Sequence, residues 1–321
     1  MNVLDCSYLR WFFGSFGFRK FFGSILQSLG VLLVFDKIVE RYSQNNDWLE
    51  FWVGLIGHMW TLWVVIIIGL AMGLFRAWPR NRVGARIQGK DVDVEVRIKN
   101  IFSSSDAMVV GCNTTFDIRG KIISERSIQG QCAKRYFNGE ESFAQKITKA
   151  LRNVAPLGTQ EEGANNDHVE YEMGTTIAVI GRLRKRFSEM ERKIYLVAIA
   201  RINDYGAATA DDTEFLGALP KMWEEIRTKG GMENLDCPIL GSGFSRLKMN
   251  RQQLIDELIR SFIAATHEGK LTEKITFYIS PSDFMKGSLE MKKISRFLEH
   301  ECERLPVPSA AVPPDGIPLT S

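Results

Sequence analysis

Cys237–Leu247 reads CPILGSGFSRL. A short apolar run, Asp236 to Leu240, enters a turn in which Gly241, Ser242 and Gly243 let the backbone approach a ligand and present its amides. A helix is predicted to follow from Asn250, with Gln253 three residues later as in a capping box. Free amides at a strand-to-helix junction favour a phosphate or diphosphate, although a plain glycine-rich turn fits the same residues. Val109–Asp117, VVGCNTTFD, has a similar character. There the buried run Ala107 to Cys112 gives way to small and polar residues, and SIQGQ follows at Ser127–Gln131.

Around these two places the chain alternates between strand and helix patterns. Val92, Val94, Val96 and Ile98 interleave with Asp93, Glu95 and Arg97, the period of a half-buried strand. A helix is predicted over Glu140 to Arg152, strands over Thr175 to Ile180 and Lys193 to Ile202, and a helix over Asp211 to Lys229 that stops at Gly230 and Gly231. The helix from Asn250 reaches Thr266, Lys274 to Ile279 forms the last strand, and Pro281 to Arg304 closes the unit as one helix. Such alternation predicts a three-layer α/β/α sandwich with a mixed, mainly parallel sheet and a ligand site where loops leave the carboxyl ends of strands. The polar stretch Ala155 to Gly174 reads as an insertion or a flap. The tail 305–321, with Pro306, Pro308, Pro313, Pro314 and Pro318, reads as a disordered terminus.

The first eighty residues are different. Phe51 to Phe75 contains no formal charge, and by length it exceeds a bilayer core of about 30 Å. Arg76, Arg80 and Arg82 close it with positive charge, which places the remainder on the cytoplasmic side. Phe21 to Val39 is a weaker span, interrupted by Gln27 and Ser28, and reads as the first arm of a hairpin or as an interfacial helix. The expected organisation is a transmembrane hairpin in 1–82, with spans over 21–39 and 51–75, a nucleotide-binding domain in 83–304, and the tail 305–321. Gly69 and Gly73 form G-x-x-x-G, which suits close helix association in an oligomer but also occurs by chance in apolar runs.

With 41 basic against 38 acidic side chains and a net charge of +3, composition gives no nucleic-acid footprint. Five cysteines lack any C-x-x-C pair and point to a reducing compartment. Four histidines show no metal-ligand spacing, so no metal site is expected.

The order of elements, the buried strand ending in Asn113 and the PILGSGFSRL loop together resemble a macro domain, the ADP-ribose-binding α/β fold. With the two hydrophobic segments, the chain resembles more narrowly the membrane-bound macro-domain effectors of type II Thoeris anti-phage systems. That resemblance implies a receptor without catalytic residues or resident cofactor. Its ligand would be an ADP-ribose conjugate, histidine-ADP-ribose, made by a TIR-domain partner enzyme. It further implies a multi-pass protein of the bacterial inner membrane that forms a homo-oligomer and disrupts the bilayer when ligand binds.

Carried onto this sequence, the resemblance puts Asn113 near the distal ribose. Thr114, Thr115, Phe116 and Asp117 with Ser127, Ile128, Gln129 and Gly130 form a first loop, and Gly241, Ser242, Gly243, Phe244, Ser245 and Arg246 hold the diphosphate. Phe244 is the candidate for packing on a ribose or base, and Arg246 for added positive charge. Where the family shows Gly-Asp-Ile for adenine, this chain has Lys99, Asn100 and Ile101, so Asn100 is the candidate acceptor. The glycine triplet of hydrolytic macro domains is missing. A membrane-tethered ADP-ribosyl hydrolase is the alternative, with Asp117 or Glu125 activating water, though neither stands in a recognisable catalytic arrangement; a passive anchor is a third reading.

Overall fold

The computed structural model describes residues 17–42, 59–77, 81–118, 124–157, 169–185, 188–202, 208–243, 247–286 and 289–303. The chain divides into two compact units, Met1–Arg80 and Asn81–Ser321.

The first unit pairs two helices, α1 (Phe18–Tyr42) and α2 (Met59–Ala77). Gly69 and Gly73 sit on the contact between them: a side chain at Gly69 would start 3.1 Å from Ser28 Cβ and Oγ, and one at Gly73 would start 3.0 Å from the Phe21 carbonyl oxygen. The G-x-x-x-G pair is thus used within this hairpin, where missing side chains let the helices close. The outward faces leave Leu26, Val31, Trp63, Ile67 and Phe75 exposed.

The expected transmembrane hairpin and the inner-membrane location are corrected here. Among the described residues, no helix is long and apolar enough to cross a membrane. α1 carries Arg19, Lys20, Asp36, Lys37 and Glu40, which break its apolar stretch. α2, at 19 residues, measures about 28 Å at 1.5 Å per residue, against a hydrocarbon core of about 30 Å, and Arg76 lies in its last turn. Residues 51–58 of the expected second span and the whole tail 305–321 lie outside the described residues.

In the second unit the strands are β1 (Arg82–Arg86), β2 (Asp93–Ile98), β3 (Ala107–Asn113), β4 (Thr176–Lys185), β5 (Ser188–Ile202), β6 (Ala208–Thr209), β7 (Leu235–Pro238) and β8 (Lys274–Ile279). The helices are α3 (Ile128–Tyr136), α4 (Glu140–Leu151), α5 (Asp212–Lys229), α6 (Arg251–Glu268), α7 (Pro281–Lys286) and α8 (Met291–Glu303). One sheet runs β1-β2-β8-β7-β3-β5-β4, with β6 beside β5. Strands β2, β8, β7, β3 and β5 are parallel, while β1 and β4 add antiparallel edges. The fold is thus a macro-domain-like mixed α/β sandwich.

Side chains two apart in a strand share a face, and this alternation builds two cores. Met108, Val110, Cys112, Ile194, Leu196 and Ala198 face Cys132, Tyr136, Phe143 and Ile147 of α3 and α4. Phe277 faces the other way, where the Trp223 ring of α5 meets Phe262 of α6 at 5.3 Å and Phe262 meets Phe277 at 6.4 Å.

Two elements depart from the sequence expectation. α3 occupies a stretch for which no helix is predicted: Ile128, Cys132, Ala133 and Tyr136 share one face, but the helix is only nine residues long; Ser127 caps it, accepting the Gly130 amide at 3.0 Å. The single closing helix is two, α7 and α8, with Gly287 and Ser288, poor helix formers, standing between them in the sequence.

A buried ion pair ties β5 to the amino ends of β3 and β7. Arg192 Nη2 lies 2.6 Å from Asp236 Oδ2, with 0% and 1% of the two side chains exposed. Arg192 Nε donates to the Asp106 carbonyl at 2.6 Å and Nη1 to the Tyr136 hydroxyl at 3.0 Å. Burial pushes the Asp236 carboxyl up to about 6 despite the neighbouring Ser104 hydroxyl and Arg192 guanidinium, and its Oδ1 is buried with no hydrogen-bond partner among the described residues.

Candidate functional site

The candidate site lies where the sheet stops being continuous. β3 and β7 are paired at Ala107–Leu235 and Met108–Asp236 alone, whereas β3 and β5 stay paired from Met108–Ile194 to Asn113–Ala200. From Val109 onward the ladder between β3 and β7 is not made. The chain leaves β3 toward α3 and α4 on one face, and leaves β7 toward α6 on the other. This is the topological switch of an open parallel sheet, where connections to opposite faces leave a crevice at the carboxyl ends.

The first loop forms one wall, and Asn113 organises it. Its Oδ1 accepts the Thr115 hydroxyl at 3.0 Å and the Asp117 amide at 3.1 Å, while its Nδ2 donates to the Asp117 carbonyl at 2.8 Å. Asn113 therefore folds the loop on itself, the local side-chain bonding that asparagine offers. Thr114 is buried, and its amide donates to the Ala200 carbonyl at 2.8 Å. Phe116 takes a left-handed backbone, φ 51°, and its buried ring meets Tyr171 edge-on at 5.5 Å. That conformation is uncommon for an aromatic residue and marks strain held at the crevice.

Ser127 to Gly130 form the start of α3 close by. A side chain at Gly130 would begin 2.5 Å from the Ser124 carbonyl oxygen and 2.9 Å from Glu125 Cα, so glycine is needed for the incoming chain to cross the helix. Gln129 is 7% exposed, and its Nε2 has no hydrogen-bond partner among the described residues. A buried amide left this way costs roughly 1–3 kcal/mol; a ligand oxygen would satisfy it.

The opposite wall is the glycine turn. Gly241 has φ +77°, and a side chain there would start 2.3 Å from Leu247 Cδ1. The Ser242 amide and hydroxyl both donate to the Ile239 carbonyl, at 3.3 and 2.7 Å. Among the described residues, nothing lies within 4 Å of the space a Gly243 side chain would enter. Phe244, Ser245 and Arg246 lie outside the described residues. Asn250 caps α6 with the predicted capping box, accepting the Gln253 amide at 3.0 Å while Gln253 Oε1 accepts the Asn250 amide at 2.9 Å.

Asn100 stands at the end of β2, and its Oδ1 accepts the Phe102 amide at 3.0 Å, capping a single 3₁₀ turn over Ile101–Ser103. Sequence reading missed a charged group beyond β3: Thr114 Oγ1 donates to Glu170 Oε1 at 3.0 Å, and Arg201 Nη1 reaches the same oxygen at 2.5 Å. A signal for Arg201 was present, a lone cation ending the buried run YLVAIA of β5. Glu170, inside the polar stretch Ala155–Gly174, gave none. Burial raises the thiols of Cys112, Cys132 and Cys237 above their ordinary value, so none supplies a thiolate nucleophile.

A mixed sheet that parts between β3 and β7 at its switch point, with a glycine turn after β7 and a capped helix start after β3, is the arrangement of the macro-domain class. The family model described as "Thoeris protein ThsA, Macro domain" matches residues 94–280, and the chain belongs to that family. The Thoeris protein ThsA of Bacillus amyloliquefaciens (strain Y2) is 23% identical over 237 residues, covering 70% of this chain and 75% of that protein. Among solved structures, the Oceanobacillus iheyensis macrodomain with ADP matches at a TM-score of 0.44 and 12% identity, over 68% of this chain and 97% of that one. The same macrodomain with MES bound matches at 0.44 and 13% identity, over 68% and 98%.

Proposed function

We propose that the second unit is a receptor for an ADP-ribose conjugate made by a TIR-domain partner enzyme, with histidine-ADP-ribose as the signal. The observation that carries this reading is the break in the β3–β7 ladder between two loops rich in amides. In it the diphosphate lies along Gly241 to Gly243 and the start of α3, and Gln129 Nε2 gains an acceptor. Asn113 holds the first loop in shape rather than spending its own hydrogen bonds on the ligand, and Asn100 borders the adenine end. Within this reading ligand binding shifts an association equilibrium between copies of the chain. The exposed apolar side chains of α1 and α2 support that step, since apolar patches of this kind mark contact surfaces.

The receptor reading also holds that the ligand is returned intact. Calorimetry on the full chain with ADP-ribose and with histidine-ADP-ribose tests binding, mass spectrometry of the recovered ligand tests integrity, and sedimentation with and without ligand tests association. Saturable binding of an unaltered conjugate, with a larger particle formed in its presence, is expected. Heat-silent titrations with both compounds would refute the receptor, and release of free histidine would make the protein a hydrolase instead.

A further inference from the structure

Three segments meet at the Glu170 carboxylate, on the β5 side of the crevice. Besides Thr114 and Arg201 Nη1, which share Oε1, the cluster includes α5: Arg201 Nε lies 3.4 Å from Glu214 Oε2 in its first turn. Thr114 is the residue where the first loop leaves the sheet, bonded there to Ala200, the neighbour of Arg201. The same turn of α5 also touches the glycine turn. Asp212 Oδ1 accepts the Lys248 amide at 2.9 Å, and Phe215 Cε2 lies 3.4 Å from where a Gly241 side chain would start. The cluster is therefore at the crevice rim, one strand beyond the β3–β7 opening that the diphosphate would fill.

Its charges are one guanidinium and two carboxylates. A sum of −1 repels a bare anion such as phosphate, but the arrangement complements a group that carries both signs. Arg201 has five N–H donors; among the described residues one goes to Glu170 and one to Glu214, and the others suit a planar carboxylate, the geometry that arginine pairs with best. The side chains remain open to solvent, with Arg201 40% and Glu214 45% exposed, while Glu170, at 19%, is fixed by Thr114. Although partial burial works against its charge, Glu214 and Glu170 keep the Arg201 guanidinium firmly protonated.

We propose that Arg201, Glu170 and Glu214 form the subsite for an α-amino-acid zwitterion on the far ribose of the ligand. Arg201 takes the carboxylate and the two glutamates take the ammonium. This rests on the receptor reading above and deepens it, since it names the side chains that distinguish an amino-acid conjugate from ADP-ribose itself.

The test is calorimetry on the full chain with three compounds: ADP-ribose, its histidine conjugate, and its histamine conjugate, which keeps the ammonium but lacks the carboxylate. The native protein is expected to bind the histidine conjugate on the order of 10- to 100-fold more tightly than the histamine conjugate, the scale of one charge-assisted hydrogen-bonded pair. Arg201→Gln should erase that preference while ADP-ribose affinity stays within about 3-fold, and Arg201→Lys should restore part of it. Glu214→Gln should weaken both conjugates and leave ADP-ribose alone. The subsite is refuted if Arg201→Gln keeps the preference, if the native protein shows none, or if Arg201→Gln weakens all three compounds equally, as a purely structural role would. Binding of ADP-ribose without discrimination overturns the subsite alone; failure to bind any of the three overturns the receptor reading with it.

Discussion

Gly241 and Gly243 stand two residues apart in one turn, yet alanine at each should act through different physics. At Gly241 the backbone is left-handed, φ +77°, which costs a residue with a side chain roughly 1–2 kcal/mol. Its new methyl would also start 2.3 Å from Leu247 Cδ1, and moving that leucine adds about 1–2 kcal/mol of overpacking. Gly241→Ala should therefore destabilise the protein by about 2–4 kcal/mol, and the melting temperature should fall by roughly 4–16 °C for a unit of this size. At Gly243 the methyl meets no atom of the described residues within 4 Å, so Gly243→Ala should change stability by less than about 0.5 kcal/mol. In the receptor reading that space is where ligand approaches the backbone, so Gly243→Ala should weaken ADP-ribose binding by about 10-fold or more. Thermal unfolding followed by circular dichroism, with calorimetry on the same samples, separates the two effects. An unchanged melting temperature for Gly241→Ala would refute the strain argument, and unchanged affinity for a well-folded Gly243→Ala would remove the glycine turn from the site.

Other substitutions probe the frame around the crevice. Gly130→Ala, whose methyl would start 2.5 Å from a backbone oxygen that cannot swing aside, should cost about 1–3 kcal/mol, read by urea unfolding, and should loosen ADP-ribose binding through the displaced first loop. Arg192→Met should cost about 3–5 kcal/mol by leaving Asp236 buried without its cation, and Arg192→Met with Asp236→Leu should recover much of that loss; equal losses in the single and double variants would contradict it. The Asp236 carboxyl, at about 6 in the fold against an ordinary 3.8, binds its proton more tightly folded than unfolded. Its contribution is present below pH 4 and lost as pH rises through 6, a swing of ~3 kcal/mol at 1.36 kcal/mol per pH unit. Asp236→Asn lacks that swing, so urea midpoints taken from pH 4 to 8 should bring the variant closer to the native protein as pH rises. Asn250→Ala, which removes the cap of α6, should cost about 1 kcal/mol in the same assay.

Local chemistry is what a sequence states most directly. Asp93 to Ile98 alternates and forms a strand, though its polar face is not open, since Glu95 is buried; Asn250 and Gln253 announce a capping box and make one; Gly241 sits in a turn that needs its positive φ. The class of fold followed because alternating strands and helices can bury their apolar faces only as a covered sheet. Elements whose stability comes from their surroundings were not legible. α3, nine residues long, puts Cys132, Ala133 and Tyr136 on one buried face, but so short a stripe does not stand out in the sequence, and the helix is held by Ser127 and by packing on the core. The membrane assignment rested on the uncharged run Phe51–Phe75 alone, whereas among the described residues the helix there is Met59–Ala77 and no helix is long and apolar enough to cross a membrane.

The site divides along the same line. The two loops could be read in advance, since a glycine turn after a buried strand is a local pattern. Their partners could not: Glu170 meets Thr114 across 56 residues of sequence, and Arg201 meets Glu170 across 31. Nothing in the spacing foretells that three charges will gather, because their meeting depends on β5 lying beside β3 in parallel and on α5 starting where β5 ends. Likewise the sequence supplied the strands on each side of the crevice, but the crevice itself exists because β3 and β7 stop pairing after Met108. That is a property of two strands sending their chains to opposite faces of one sheet, which no stretch of residues carries alone.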